Sequence, residues 1–465
     1  MPHTSCRPRK PRTSPSVLER LNPDAAGVDC GAAAHYVAVP PDRDAHPVQA
    51  FQTFTADLHR LADWLLACRV RTVAMEATGV YWIPLFEILE TRGLTVLLVN
   101  ARHVKQVPGR KSDVCDCEWI RDLHSVGLLH GSFRPPAPIV PLRAYLRHRE
   151  GLVQRASQSV QRMEKALTQM NLRLGLVVAD PVGVTGLRIL RDIVAGQHDP
   201  HTLAQHRDPR CKASASEIAA ALTGHYRAEH LFALQQHLAA YDFVLTQIAA
   251  CDAVIAACLQ TLTAALVPPS APLPGARGAS RKARRLEPTG DLRGPLHHLT
   301  GGIDLTQIDG IAPHTALKLL AELGPDMTRW PSAAHFTSWL TLAPHNRVSG
   351  GRRLSSRTQP SANRAAAALR MVAMTLGRTS TALGAFYRRI AATRGKPHAV
   401  TATARKLAIL VYRVLAGELV YQDPGAEAYH AQQRTRRLRH LRGRAAALGF
   451  DLIQRDTGEI ISVSA

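Results

Sequence analysis

Acidic residues are scarce in this chain: 36 Asp and Glu stand against 58 Lys and Arg in 465 residues, a formal charge of +22 with a pI near 10.3. That imbalance argues against simple metabolic catalysis and for a polyanionic partner. Cysteine is thin as well. Eight residues, with no C-x-x-C pair and one C-x-C at Cys115 and Cys117, exclude a disulfide framework or zinc ribbon and fit a reducing cytoplasm. No apolar run approaches the roughly 18 residues that span a bilayer. The opening MPHTSCRPRKPRTSPS is basic and Pro-rich with no apolar stretch behind it, so neither export nor membrane insertion is expected. What is present suits a folded protein: 46% of residues are hydrophobic, and the length allows about three domains.

Residues 1–23 read as a flexible basic tail. AAGVDCGAAAHYVAVP then reads as strand, small-residue turn and strand; TADLHRLADWLLAC and VYWIPLFEILETRG have helical spacing, while RTVAMEA and LTVLLVN are short buried-type strands. This alternation predicts an α/β layer sandwich with some parallel pairing over residues 24–138. Pro135, Pro136, Pro138 and Pro141 end it. A helical region, 139–266, follows. Within it Val153, Ala156, Val160, Met163, Leu167, Met170 and Leu174, and again Leu231, Leu234, Leu238, Tyr241, Leu245 and Ile248, recur at alternating steps of three and four, the seam of a coiled coil. The two stripes can pair within one chain or across two copies. Residues 267–300 read as a Pro/Gly/Arg linker, 301–425 as a compact helical domain and 426–465 as a basic helix or tail.

Four acidic side chains draw attention. Asp29 lies in the first strand and Glu76 closes TVAMEA; carboxylates at strand ends face the ligand crevice of α/β sheets. Asp113 and Asp116 follow a loop bearing Gly109, Arg110 and Lys111, and their spacing puts both on one helix face. Gathered together they repel one another unless cations neutralise them, and hard oxygen ligands suit Mg²⁺ or Mn²⁺. A second constellation is RVSGGRRLSSRT. Ser349 precedes Gly350 and Gly351, which permit close backbone approach, and Arg347, Arg352, Arg353 and Arg357 supply phosphate-matching charge. Such a loop either holds a phosphate against a hydroxyl or only contacts nucleic-acid backbone. His345 is near, with no His–Asp partner evident for Ser349. Ile308–Gly324 reads as helix, GIAP turn and helix, a helix-hairpin-helix whose turn offers N–H groups to phosphates or simply packs.

GVDC, MEATGVYW and VNARHVKQVPGRKSDVCDCEWI with SFRPP resemble the DEDD-type, RuvC-like domain of the IS-one-ten family of insertion-sequence transposases. DGIAPHTALKLLAELG, FTSWLTLAPHNRVSGGRRLSSRT, NRAAAALR and ARKLAILVYRVL resemble that family's serine-containing carboxy-terminal domain. The resemblance implies a DNA recombinase that excises and inserts its own element. It implies a ribonuclease-H-like fold in which Asp29, Glu76, Asp113 and Asp116 hold divalent metal, and Ser349 as the nucleophile that links covalently to DNA. It further implies a noncoding bridge RNA that pairs with donor and target DNA, and homodimers or homotetramers joined through the coiled coil. Two departures stand out: His35 is the sole basic residue soon after Asp29, and Arg352 stands where the family has lysine after S-G-G.

With acids and serine in different domains, the expected active site is composite. Two other classes also account for the charge: a RuvC-like junction nuclease using metal-activated water, and a non-catalytic nucleic-acid-binding protein with structural acids.

Overall fold

The computed structural model describes residues 20–100, 113–276, 286–453 and 460–461, with backbone only for Asp113, Val114 and 460–461. The chain forms two compact units, residues 1–134 and 135–465.

The first unit is built on β1 (Ala25–Cys30), β2 (Ala34–Ala38), β3 (Val48–Gln52), α1 (Thr55–Ala67), β4 (Thr72–Glu76), α2 (Trp82–Thr91), β5 (Thr95–Val99) and α3 (Asp113–Ser125). The strands make one mixed sheet in the order β3-β2-β1-β4-β5, antiparallel from β3 to β1 and parallel from β1 to β5. Alternation along each strand divides the side chains between two layers. Ala26, Val28, Cys30, Val73 and Met75 pack with Leu58, Leu61 and Leu65 of α1 and Leu85 and Leu89 of α2. On the opposite face Ala74 and Val99 pack against Ile120 of α3. Gly27 lets α3 approach β1: a Cβ there would lie 2.3 Å from both the Cys117 carbonyl oxygen and the Arg121 nitrogen. Buried Arg121 then clamps the helix down, donating from Nη1 to the Val39 carbonyl oxygen at 2.9 Å.

The second unit is largely helical. Its spine is α4 (Ile139–Gln169) and, after the short helices α5 (Leu174–Val177), α6 (Val184–Val194), α7 (Pro200–Ala204) and α8 (Ala215–Leu222), the returning α9 (Ala228–Ala264). The stripes expected at three-and-four spacing meet within the chain. Leu152, Ala156, Met163 and Leu167 of α4 share a core with Leu234, Leu238, Tyr241 and Ile248 of α9, closed at one end by the short helices. The seam runs on through a buried ion pair, Arg149 with Asp252, and Arg149 Nη2 also donates to the Leu286 carbonyl oxygen at 3.1 Å. By length and mean hydropathy α9 alone, among the described residues, could cross a membrane, although it holds no unbroken apolar run of that length. A count of consecutive apolar residues misses it because Asp, Gln and Thr punctuate the helix, although one side of it forms core.

A bundle follows: α10 (Arg293–Leu299), a 3₁₀ turn at Leu305–Gln307, α11 (Pro313–Leu323), α12 (Ala333–Trp339), the hairpin β6 (Arg347–Ser349) and β7 (Arg352–Ser355), α13 (Arg364–Leu376), α14 (Ala382–Arg394), α15 (Lys396–Leu415), α16 (Gly425–Ala447), and the two-residue strands β8 (Leu452–Ile453) and β9 (Ile460–Ile461). Trp330, Phe336, Trp339 and Tyr412 form its aromatic centre, and the Tyr412 hydroxyl donates to the Trp330 carbonyl oxygen at 2.8 Å. Two sequence expectations change here. Residues 293–299, inside the expected linker, are helical because Leu296 and Leu299 are buried and Arg293 pairs with Asp304. The expected helix from Ile308 before the GIAP turn is absent, only the 3₁₀ turn preceding it. Gly310, at φ +82, packs against Val372 and Leu376 of α13.

Candidate functional site

Three of the four sequence-selected acids fall on elements of one sheet face. Asp29 shares strand parity with Gly27, the residue on which α3 rests, and Glu76 shares it with Ala74, which packs under Ile120. Val28 is registered against Met75 in the parallel β1–β4 pair, so the next step along both strands sets Asp29 beside Glu76. Asp116 lies in α3 one residue before Cys117, whose backbone contacts Gly27. All three are half-buried. The backbone of Asp113 begins α3; its side chain, and Lys111 altogether, lie outside the described residues.

The charge of this face is felt by its neighbours. Burial pushes the Cys30 thiol up to about 12, with Asp29 and then Glu76 adding to the shift. Burial likewise pushes Cys117 up to about 12, and Glu118 and Asp29 reinforce it. Asp29 thus acts on thiols of both β1 and α3. Glu76 accepts a hydrogen bond from the Thr78 hydroxyl at 3.1 Å, in the turn that ends β4. Among the described residues no group of three or more His, Cys, Asp or Glu side chains is placed to hold a metal ion. What they supply is a pair of adjacent carboxylates with the first turn of α3 over the same face. This oxygen donor set fits a hard divalent cation.

His35 does not join them. It is registered opposite Cys30, on the α1–α2 face, where it is buried and desolvation lowers its pKa. Strand parity decides the matter: Tyr36, not His35, lies cross-strand from Asp29 on the acid-bearing face. Tyr36 is the residue that sequence reasoning passes over, and the register of the hairpin is the signal that finds it.

Ser349 stands in the second unit, at the end of β6. RVSGGRRLSSRT reads in sequence as a loop, but its centre is an antiparallel hairpin with Gly350 at φ +53 and Gly351 at φ +74. Positive φ at both central residues is the signature of a type I′ turn, so these glycines are first a requirement of the hairpin. Among the described residues, apart from each glycine's own chain neighbours, no atom lies within 4 Å of where either Cβ would stand. Ser349 is registered against Arg352, and Val348 against Arg353. The hydroxyl and the Arg352 guanidinium therefore share one face of the ribbon while Arg353 points to the other. Ser349 and all four arginines, Arg347, Arg352, Arg353 and Arg357, are exposed. The hairpin is closed at its base by the His345 N–H, which donates to the Arg357 carbonyl oxygen at 3.1 Å.

Two family models cover these regions. Residues 26–172 match the DEDD transposase model of IS110, and residues 304–388 match the model described as Transposase IS116/IS110/IS902 family. The chain belongs to the IS110 family of transposases. Membership makes the transposase a DNA-processing enzyme concerned with transposition of an insertion sequence. The first matched span carries Asp29, Glu76, Asp113 and Asp116, and the second carries Ser349 with its arginines. No curated protein matches the transposase. Residues 173–303 and everything beyond 388 lie outside the matched spans.

Proposed function

We propose that this transposase cuts and rejoins DNA strands through a covalent phosphoserine, with Ser349 as nucleophile and Asp29, Glu76, Asp113 and Asp116 as the ligands of Mg²⁺ or Mn²⁺. The observation that carries the reading is the pairing of Ser349 with Arg352 on an exposed hairpin, in a chain that also sets Asp29 beside Glu76. The order β3-β2-β1-β4-β5 supports a ribonuclease-H-like, RuvC-type sheet. A bound divalent cation would neutralise the acids and withdraw charge from the scissile phosphate.

The chain's own groups do the rest. Arg352, Arg347, Arg353 and Arg357, with Lys111 in the first unit, bind backbone phosphate; a guanidinium beside the attacking hydroxyl stabilises the charge that builds on phosphorus. The bare turn at Gly350 and Gly351 leaves room for the nucleic-acid backbone. Oγ of Ser349 loses its proton and forms a P–O bond as the P–O bond to one strand breaks, and the released strand end takes the proton. Reversal on a second strand end restores the serine, so no bond energy is dissipated. Sequence choice falls to a noncoding bridge RNA paired with donor and target DNA, in the manner of other guided systems. The long helices α4 and α9 join copies into dimers or tetramers. The enzyme works in the cytoplasm.

Ser349→Ala is the deciding variant. It should abolish strand cleavage and the protein–DNA adduct trapped on denaturing gels while leaving nucleic-acid binding within about twofold, as expected when one neutral side chain leaves the phosphate contacts in place. Cleavage that persists without an adduct would instead mark a junction nuclease using activated water.

A further inference from the structure

Beyond the matched spans lies α16, and its charge has no use in the strand-transfer reading. Its first turns are pinned to the bundle through Tyr429, the one buried side chain of the helix. The Tyr429 hydroxyl accepts from Arg389 Nε at 2.8 Å, its ring meets Phe386 edge-on at 6.4 Å, and Lys406 Nζ stands 4.8 Å from the Phe386 ring centroid and 5.7 Å from that of Tyr429. Past this anchor the sequence reads QQRTRRLRHLRGRAAALGF. From residue 428 to residue 450 there is no acid, while Arg434, Arg436, Arg437, Arg439, Arg442 and Arg444 crowd the helix with His440. The positive field is strong enough that Arg436 and Arg389 add to burial in lowering the pKa of Lys406.

A solvated basic face is the plain alternative, and two features speak against it. Arg434 and Arg437, Arg436 and Arg439, and Arg439 and Arg442 are each three residues apart. Like charges brought together on one helix repel and destabilise it in water, a cost that a polyanion would remove. The exposed arginines are also not confined to a stripe. At about 100° per residue, Arg434, Arg436, Arg437, Arg439 and Arg444, all exposed, spread over well more than half of the circumference. A helix lying on one flat surface needs a single charged face. Charge on both flanks and the front suits a helix with phosphates on either side of it.

That geometry selects a partner. The B-DNA major groove is about 12 Å wide, which matches an α-helix of about 10–12 Å with its side chains, whereas the minor groove is about 6 Å wide. The major groove of A-form RNA is deep and too narrow for side chains to read. We propose that the Arg434–Arg444 segment of α16 seats in the major groove of double-stranded DNA, its guanidinium groups bonding phosphates of both strands. Contacts of this kind fix position and carry little sequence information, so α16 is a docking element for duplex DNA of any sequence. This goes beyond the catalytic reading and stands without it.

The test is fluorescence anisotropy with the full chain, using a labelled duplex DNA of arbitrary sequence and a duplex RNA of the same sequence, each across a salt series. The variant Arg434→Gln/Arg436→Gln/Arg437→Gln/Arg439→Gln should bind DNA at least about tenfold more weakly near 0.15 M salt, with a log–log salt slope shallower by about 3–4, since each phosphate contact contributes about 0.9. The corresponding four-lysine variant should keep most of that slope, and the glutamine variant should bind duplex RNA as the wild type does. Methyl green, a major-groove ligand, should compete for the DNA where netropsin, a minor-groove ligand, does not. An unchanged DNA slope in the glutamine variant, an equal loss on RNA, or competition by netropsin alone overturns the proposal. If circular dichroism shows that the fourfold variant has lost helix, the single variants Arg436→Gln and Arg437→Gln decide, each expected to reduce the slope by about one. Ser349→Ala should retain the whole α16-dependent slope, so failure of the catalytic reading is separable from failure of this one.

Discussion

Gly27 is glycine because α3 leaves no room for a methyl group, and the Cys117 carbonyl that would meet it belongs to the same turn as Asp116. Gly27→Ala must therefore lift the helix or bend the strand. Urea denaturation should show a loss of about 1–3 kcal/mol, the usual cost of overpacking, together with weaker divalent-cation-dependent cleavage. The thiols beside it make a second residue-scale prediction. Cys30 and Cys117 hold their protons up to about 12, against an ordinary value of 9.0. A folded-state pKa above the unfolded one contributes stability that is complete below the unfolded value and is lost as pH rises through the folded value. The urea midpoint should then fall progressively between pH 9.0 and about 12. Over the lower part of that range iodoacetamide should label exposed Cys115 first and leave buried Cys30 and Cys117 unmodified until the chain unfolds, as peptide mass spectrometry can follow.

Among elements, the α4–α9 pair depends on a charge inside an apolar seam. Removing one partner of a buried ion pair typically costs about 3–5 kcal/mol. Asp252→Ala should lower stability by that amount, and adding Arg149→Met to Asp252→Leu should recover most of it; chemical denaturation of the two variants checks both. The same pair shows what a sequence can reveal. The stripe from Leu231 to Ile248 is legible because Leu, Tyr and Ile recur without interruption. Its continuation through Asp252 to Ile255 and Leu259 is hidden, since the partner that makes Asp252 a core residue lies 103 positions away. In the sheet, β1, β2, β4 and β5 announce themselves by apolar runs, whereas β3 is five mixed residues made a strand by pairing with β2. The β6–β7 hairpin carries its Gly-Gly turn signal openly, but its strands are exposed and lack the alternation that a buried face imposes. Strand parity, too fine for a composition argument, brings Tyr36 to the acids and turns His35 away.

At the scale of the whole molecule the surplus of +22 governs how the protein meets its substrate. If duplex DNA is held through about 6–10 phosphate contacts, affinity should drop by about 10³–10⁵ between 50 and 200 mM salt. Anisotropy titrations that show a flat salt response would rule out backbone contact as the main source of binding. In α16 the strong cations are all guanidinium groups, with no lysine from Gly425 to Ala447. Guanidinium stays protonated throughout the cellular pH range, and acetylation, which silences lysine, has nothing to act on there. Grip through this helix therefore cannot be dimmed by acetylation: added salt, or a rival polyanion taking its place, is what frees the protein from one stretch of chromosome.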